Sequence, residues 1–168
     1  MSELLKVGTR APDFEAPDQH GNRVKLSQFK GKPVVVYFYP KDDTPGCTAE
    51  ACNFRDNNAE FEKKGIKVIG ISVDSVNSHK KFHDKYGLNF TLVSDSDKKI
   101  SEAYGTFNGR SDNRVTYLID KNGTIAHLES RETGPFCTRY FSRILDWSGS
   151  NISPRKAEDE SNTLPSSR

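Results

Sequence analysis

The feature that most constrains this chain is Val34-Val35-Val36-Tyr37-Phe38-Tyr39, an unbroken run of β-branched and aromatic residues. A strand exposed on one face alternates apolar and polar side chains, whereas a strand covered on both faces reads as a continuous apolar run. The residue types and the length therefore place this run as the central strand of a sheet with layers packed on both sides. A chain of 168 residues supplies one such domain.

The rest of the chain supplies the layers. Phe14-Glu15-Ala16 and Arg23-Val24-Lys25 flank the turn-rich stretch 18–22 and read as a hairpin. Ser27 opens a short turn that ends at Gly31. The spacing of Ala51, Phe54, Ala59 and Phe61 predicts a helix from Cys47 to Lys64, stopped by Gly65. Lys67–Val73 is a second buried strand, and Ser75 or Asn77 caps a helix that runs to Tyr86 and ends at Gly87. Phe90–Val93 is extended, Asp97–Tyr104 is a short helix, and Arg114–Ile119 and Thr124–Leu128 form a hairpin about Asn122-Gly123. Phe136–Trp147 is an amphipathic last helix. Strands that alternate with helices pair in parallel, and the late hairpin adds an antiparallel edge. The expected fold class is α/β: a central mixed β-sheet flanked by helices on both faces, with an N-terminal β-hairpin. The domain spans residues 4–148. Residues 149–168 are polar, carry two prolines and read as a disordered tail.

Charge and composition exclude several functions. The formal net charge is only +2, which gives no support to nucleic-acid binding. No stretch approaches 18 consecutive apolar residues, so no transmembrane helix and no membrane partner are expected. Residues 1–10 lack an apolar signal core. Three cysteines, Cys47, Cys52 and Cys137, are too few and odd-numbered for a disulfide scaffold. They point to working thiols in a reducing, cytoplasmic compartment.

The chemistry collects after the central strand, where sheets of this class carry their sites. Cys47 follows the loop 40–46 and opens a helix, where unpaired N–H groups and the helix dipole favour the thiolate. Pro40 and Pro45 restrict the loop, and Gly46 lets its backbone approach a ligand closely. Thr44 places a hydroxyl three residues before the thiol, and Cys52 lies five residues after it. A cysteine after a strand is ordinarily an inert packing residue, and Cys137, with no such neighbourhood, reads that way. Cys47 and Cys52 with Cys137 could instead form a zinc-binding module, but no second close pair follows them. His79 and His83 share a helix face at i, i+4 without the Glu of a zinc-hydrolase motif, and read as a solvated face. His20 lies in a turn and His127 in a strand, neither with a visible partner. No metal or cofactor is expected.

Pro40-x-x-x-Thr44-x-x-Cys47 resembles the active-site motif of the peroxiredoxins. The longer run from Pro40 through Cys47 and Cys52 to Asp56 is similar to the subfamily called bacterioferritin comigratory protein, or Q-type peroxiredoxin. The resemblance extends from about Val7 to Leu128 and includes Ala11-Pro12-Asp13-Phe14 and Arg114-x-Thr-Tyr-Leu-Ile-Asp120. It implies a thioredoxin-like fold and an antioxidant, thioredoxin-dependent peroxidase that reduces hydrogen peroxide and organic hydroperoxides without metal or flavin. By resemblance, Cys47 is the peroxidatic cysteine, Thr44 and Arg114 activate it, Pro40 shields it, and Cys52 is the resolving cysteine. Glu50 matches a commonly acidic position to which no role is assigned. The implied partners are a thioredoxin or glutaredoxin-type reductant and small peroxide substrates, and the implied state is a monomer or weak homodimer. A non-catalytic redox sensor with the same Cys47 chemistry is the alternative from a different class.

The resemblance carries a geometric demand. Two residues five apart on an α-helix are separated by about 7.5 Å along its axis, whereas a disulfide needs Cα atoms within about 7 Å. A Cys47–Cys52 bond therefore requires the first turns of that helix to unwind.

Overall fold

The chain begins with a two-stranded antiparallel hairpin, β1 (Glu15–Pro17) and β2 (Arg23–Lys25), followed by a 3-10 turn over Leu26–Phe29. A five-stranded sheet follows: β3 (Val34–Phe38), β4 (Lys67–Ser72), β5 (Thr91–Ser94), β6 (Arg114–Ile119) and β7 (Ile125–Arg131). Helices α1 (Pro45–Lys63), α2 (Val76–Tyr86) and α3 (Lys99–Ala103) connect them. The structure is a computed structural model that describes residues 3–131 and 144–145. Cys137, most of the expected helix Phe136–Trp147 and the expected tail 149–168 lie outside the described residues.

The sheet order is β5-β4-β3-β6-β7, with β3 in the middle as its composition requires. β3 pairs with β4, and β4 with β5, in parallel, while β6 runs antiparallel to both β3 and β7. Alternate residues of β3 enter two separate cores. Val34, Val36 and Phe38 join Phe14, Leu26, Ile100 and Tyr104 on one face. Val35 and Tyr37 join Phe54, Phe61 and Phe82 on the other. The expected helices on both faces therefore take an uneven form. Both parallel crossovers add a strand in the same direction, and right-handed crossovers then place α1 and α2 on the same side. The opposite face is covered by the N-terminal hairpin, the 3-10 turn and the short α3.

Local chemistry explains where the boundaries differ from those expected. Helix α1 begins at Pro45 rather than Cys47, because a proline at the first helical position forfeits only an N–H that has no helical partner. The Ser75 hydroxyl accepts the Ser78 N–H at 3.1 Å and caps α2, and Gly87 closes it in the left-handed region at φ 58°. Helix α3 is shorter than expected, since the Asp95 carboxylate accepts the Ile100 and Ser101 N–H groups and so holds its start. Strand β7 runs past Leu128 because its ladder with β6 continues to the pair Arg114 and Arg131.

One contact aligns α1 on the sheet. Tyr37 of β3 stacks on Phe54 of α1, with ring centroids 4.4 Å apart and planes 19° apart. The Tyr37 ring lies over its register partner Gly70 of β4, where an added Cβ would sit 2.8 Å from the ring and 2.9 Å from Leu92. Gly70→Ala is expected to destabilise the fold by about 1–3 kcal/mol, the cost of overpacking a filled core. Denaturant unfolding measures it.

Candidate active site

The carboxyl ends of β3, β4 and β5 and the start of β6 lie at the same end of the sheet, a consequence of the pairing directions. The chain leaving β3 must turn there. Thr44 is the extended N-cap of α1, Pro45 and Gly46 follow, and Cys47 is the third helical residue. The first helical hydrogen bond from this start is the Thr48 N–H to the Thr44 carbonyl at 2.8 Å, so the Cys47 N–H lies before it. Such N–H groups and the helix dipole favour negative charge.

Cys47 is buried, at 1% exposure, in the core beneath α1. Arg114, the first residue of β6, donates from Nη2 to Cys47 Sγ at 3.3 Å. Its Nη1 donates to Glu50 Oε1 at 2.9 Å. Glu50 lies three residues after Cys47, so the two share a helix face and one guanidinium spans both. Burial acts to lower the Arg114 pKa, but the Glu50 charge and the hydrogen bonds to Cys47 and Glu50 outweigh it, and the net direction is upward. The guanidinium packs against the helix start: a Cβ at Gly46 would meet Nη2 at 3.1 Å. Glu50 is only 2% exposed, and a buried carboxylate without a cation is costly. Glu50 and Arg114 thus hold each other, and the second arm of the fork reaches the thiol. The sequence carried two signals for Glu50, its i+3 spacing from Cys47 and its match to a commonly acidic position of the resembled family.

Thr44 donates its hydroxyl to the Lys41 carbonyl at 3.0 Å, which leaves its oxygen as an acceptor. Pro40 is half-buried two residues after the end of β3. Cys52 is a free, half-buried thiol on the intact α1, as Cys47 is a free, buried one. The structure thus brings Cys47 and Arg114 into contact, places Thr44 and Pro40 in the adjoining loop, and keeps Cys52 on the helix. Arg55, three residues after Cys52, donates to the Tyr86 carbonyl at 2.6 Å and ties this part of α1 to the end of α2.

The histidine assignments need correction. His79 is not on a solvated face: it is fully buried, because the inward face of α2 is formed by His79 and Phe82 at i, i+3. Its Nδ1 lies 2.7 Å from Asp42 Oδ2 and its Nε2 3.0 Å from the Val93 carbonyl. His83 is half-buried, with its ring 6.1 Å from that of His20. His127 has a partner after all, Glu129 at 3.0 Å, two residues along the same strand face. Ligand-type atoms of Asp42, Asp74 and His79 cluster within 4.8 Å of one another. That set is distinct from the cysteines of the zinc alternative, and its members already bond to the surrounding hydroxyl and backbone groups.

A model of the AhpC/TSA family matches residues 7–128. A chloroplastic peroxiredoxin Q of Oryza sativa subsp. japonica is 49% identical over 134 residues, covering 78% of this chain and 62% of the rice protein's length. The chloroplastic peroxiredoxin Q of Sedum lineare is 49% identical over 135 residues, covering 76% of this chain and 70% of that protein. Among solved structures, a peroxiredoxin Q of Xylella fastidiosa superposes with a TM-score of 0.77 at 29% identity, covering 86% of this chain and 95% of that one. The peroxidoxin BcpB of Mycobacterium tuberculosis superposes with a TM-score of 0.72 at 36% identity, covering 77% and 88%.

Two expectations follow from the geometry. Arg114→Lys keeps the charge but loses the fork that spans Cys47 and Glu50. The second-order rate of Cys47 oxidation by peroxide should fall about a hundredfold, the scale of removing one oriented donor, as read by stopped-flow. The second concerns Asp112, just upstream of Arg114. It is wholly buried, accepts the Thr106 hydroxyl at 2.7 Å, and its Oδ2 has no hydrogen-bond partner. Burial pushes its carboxyl up to about 7, with a smaller contribution from the charges of Asp95 and Asp74. An unfolded aspartate ionises near pH ~4, so between about pH 4 and pH 7 the unfolded chain is ionised here while the folded chain holds its proton. Stability should therefore fall as pH rises through that window. Unfolding of Asp112→Asn compared with the parent should show a relative gain that is larger at pH 8 than at pH 4.

Proposed function

The chain belongs to the AhpC/TSA family, and we propose that within it this protein is a thiol peroxidase that reduces hydrogen peroxide and organic hydroperoxides through Cys47. The observation that carries this reading is the Arg114 fork, with one arm on the Cys47 sulfur and the other on a buried glutamate. A packing cysteine has no use for a guanidinium that a buried carboxylate orients toward it.

The attacking species is the thiolate. Its sulfur attacks one peroxide oxygen. The S–O bond forms as the O–O bond breaks, and the second oxygen leaves with the electron pair, taking a proton to become water or an alcohol. Cys47 is oxidised by two electrons to a sulfenic acid. Negative charge moves from sulfur to the leaving oxygen. Arg114 is already at the sulfur, and the Cys47 N–H adds a donor at the helix start. Together they stabilise the charge as it moves and hold the reacting atoms in line. Thr44, with its own proton on Lys41, accepts from a peroxide O–H. Pro40 shields Cys47.

The sulfenic acid then condenses with the Cys52 thiol, forming an S–S bond and releasing water. Both cysteines sit on α1, so its first turns unwind for this step. An external dithiol of the thioredoxin or glutaredoxin type restores the two thiols. A redox sensor built on Cys47 would instead stop after about one equivalent of peroxide when given only such a dithiol.

Sustained peroxide consumption with a dithiol reductant is the expected result, and Cys47→Ser should abolish it without unfolding the protein. After one equivalent of peroxide, intact mass should show a monomer lighter by two hydrogens, with Cys47 and Cys52 linked in the peptide map. Cys52→Ser should keep the first oxidation fast and accumulate sulfenic acid. A Cys47–Cys137 bond or a disulfide between two chains would remove Cys52 from the mechanism.

A further inference from the structure

The loop between β3 and α1 is anchored by a buried charged network that the peroxidase chemistry above does not use. Asp42 is 8% exposed and lies two residues before Thr44. Its Oδ1 accepts the Tyr39 hydroxyl at 2.6 Å, and its Oδ2 accepts the Ser78 hydroxyl at 2.7 Å. His79 Nδ1 lies 2.7 Å from that same Oδ2. The Asp42 N–H donates to Asp74 Oδ2 at 2.9 Å, an oxygen that also takes the Ser72 hydroxyl at 2.7 Å. One loop residue thus ties the end of β3, the end of β4 and the first turns of α2 together, and His79 adds β5 through Val93.

We infer that Asp42 and His79 form a buried ion pair, with His79 an imidazolium that donates from both ring nitrogens, and that the pair positions the reactive loop for the Cys47 reaction. The donor count argues for it. His79 Nε2 faces the Val93 carbonyl, which can only accept, so Nε2 carries a proton. The remaining question is where the proton between Nδ1 and Asp42 resides. Besides His79, the Tyr39 hydroxyl donates to one Asp42 oxygen and the Ser78 hydroxyl to the other, so both oxygens act as acceptors. A carboxylate so enclosed needs a cation, and His79 lies at hydrogen-bond distance.

The link to the reaction is the turn itself. Lys41 and Thr44 close it through the Thr44 hydroxyl, and Asp42 and Asp43 are its central residues. Asp43 is in the left-handed region at φ 58°, and its carboxylate accepts Lys85 Nζ at 2.7 Å and the Tyr86 hydroxyl at 2.5 Å. Both central residues of the turn are therefore fastened to α2, and the turn sets where the Thr44 oxygen sits relative to Cys47. Asp42 and His79 act through that turn as positioning residues and do not touch the substrate.

The positioning claim rests on the peroxidase reading, but the protonation claim stands without it, and the test separates the two. The reduced protein is labelled with 15N-histidine and observed by NMR at pH 7.5. Both His79 nitrogens should show imidazolium shifts, and a pyridine-type Nδ1 would overturn the ion pair. Asp42→Asn keeps an acceptor for Tyr39 and offers an N–H to Nδ1, so His79 should convert to the neutral form protonated at Nε2. An unchanged ring would again overturn the pairing. Stopped-flow oxidation of Cys47 is then compared across variants whose folding is verified. Asp42→Ala and His79→Ala should slow it by about tenfold to a hundredfold, the scale of a misplaced reacting group, while Asp42→Asn recovers most of the rate. Wild-type rates in both alanine variants would overturn the positioning role. A parent protein inert to peroxide would overturn the peroxidase reading instead, leaving the NMR result to decide the ion pair.

Discussion

The burial of β3 on both faces is the constraint on which the arrangement depends. A strand with Val35 and Val36 wholly enclosed has no lateral exit, so the chain must turn at its carboxyl end. The parallel neighbour β4 points the same way, and the antiparallel neighbour β6 begins where β3 finishes. The thiol at the start of α1 and the guanidinium at the start of β6 are brought to one place by strand pairing. Cys47 and Arg114 lie 67 residues apart in the chain, and the ladder between β3 and β6 brings them into contact.

At that place a small number of charges is distributed with little redundancy. Arg114 is the cation at the sulfur, and it also answers Glu50, a carboxylate buried one turn along α1 that needs a cation. The arrangement divides the guanidinium between two roles. Glu50 fixes the orientation of the fork, and the sulfur receives the arm left over. Glu50 offsets part of the charge and in return fixes the geometry of the fork at the sulfur.

Helix α2 serves the same loop from the other side. Its first turns bond Asp42, its last turn bonds Asp43, and the carbonyl of Tyr86 takes Arg55 from the middle of α1. The segment containing Cys47 and Cys52 thus begins and ends on residues fastened to α2. This bears on the resolving step proposed above. Unwinding for the proposed Cys47–Cys52 bond would have to break the Arg114 contacts to Cys47 and Glu50, whereas beyond Arg55 the Asn58 amide bonds the Asn89 carbonyl.

The residue pattern alone determined the element order, because each element carries a local cause: the continuous apolar run of β3, the Ser75 cap and Gly87 stop of α2, and the Asn122-Gly123 turn before β7. It also pointed to the loop and to Cys47, since a thiol at a helix start after Pro-Gly is a local pattern. Membership of the family was legible for the same reason: its motifs are short local runs, Pro40–Asp56 and Arg114–Asp120 among them. The tertiary structure decided what depends on residues far apart in the chain. Glu50 has no evident role until Arg114 folds across to it from another strand. His79 looks like half of a polar i, i+4 pair until α2 turns it inward to meet Asp42, 37 residues upstream. Which face the long helices cover follows from crossover handedness, a property of strand order that no single segment contains. Periodicity reports whether a face is buried, and only the assembled sheet determines what it is buried against.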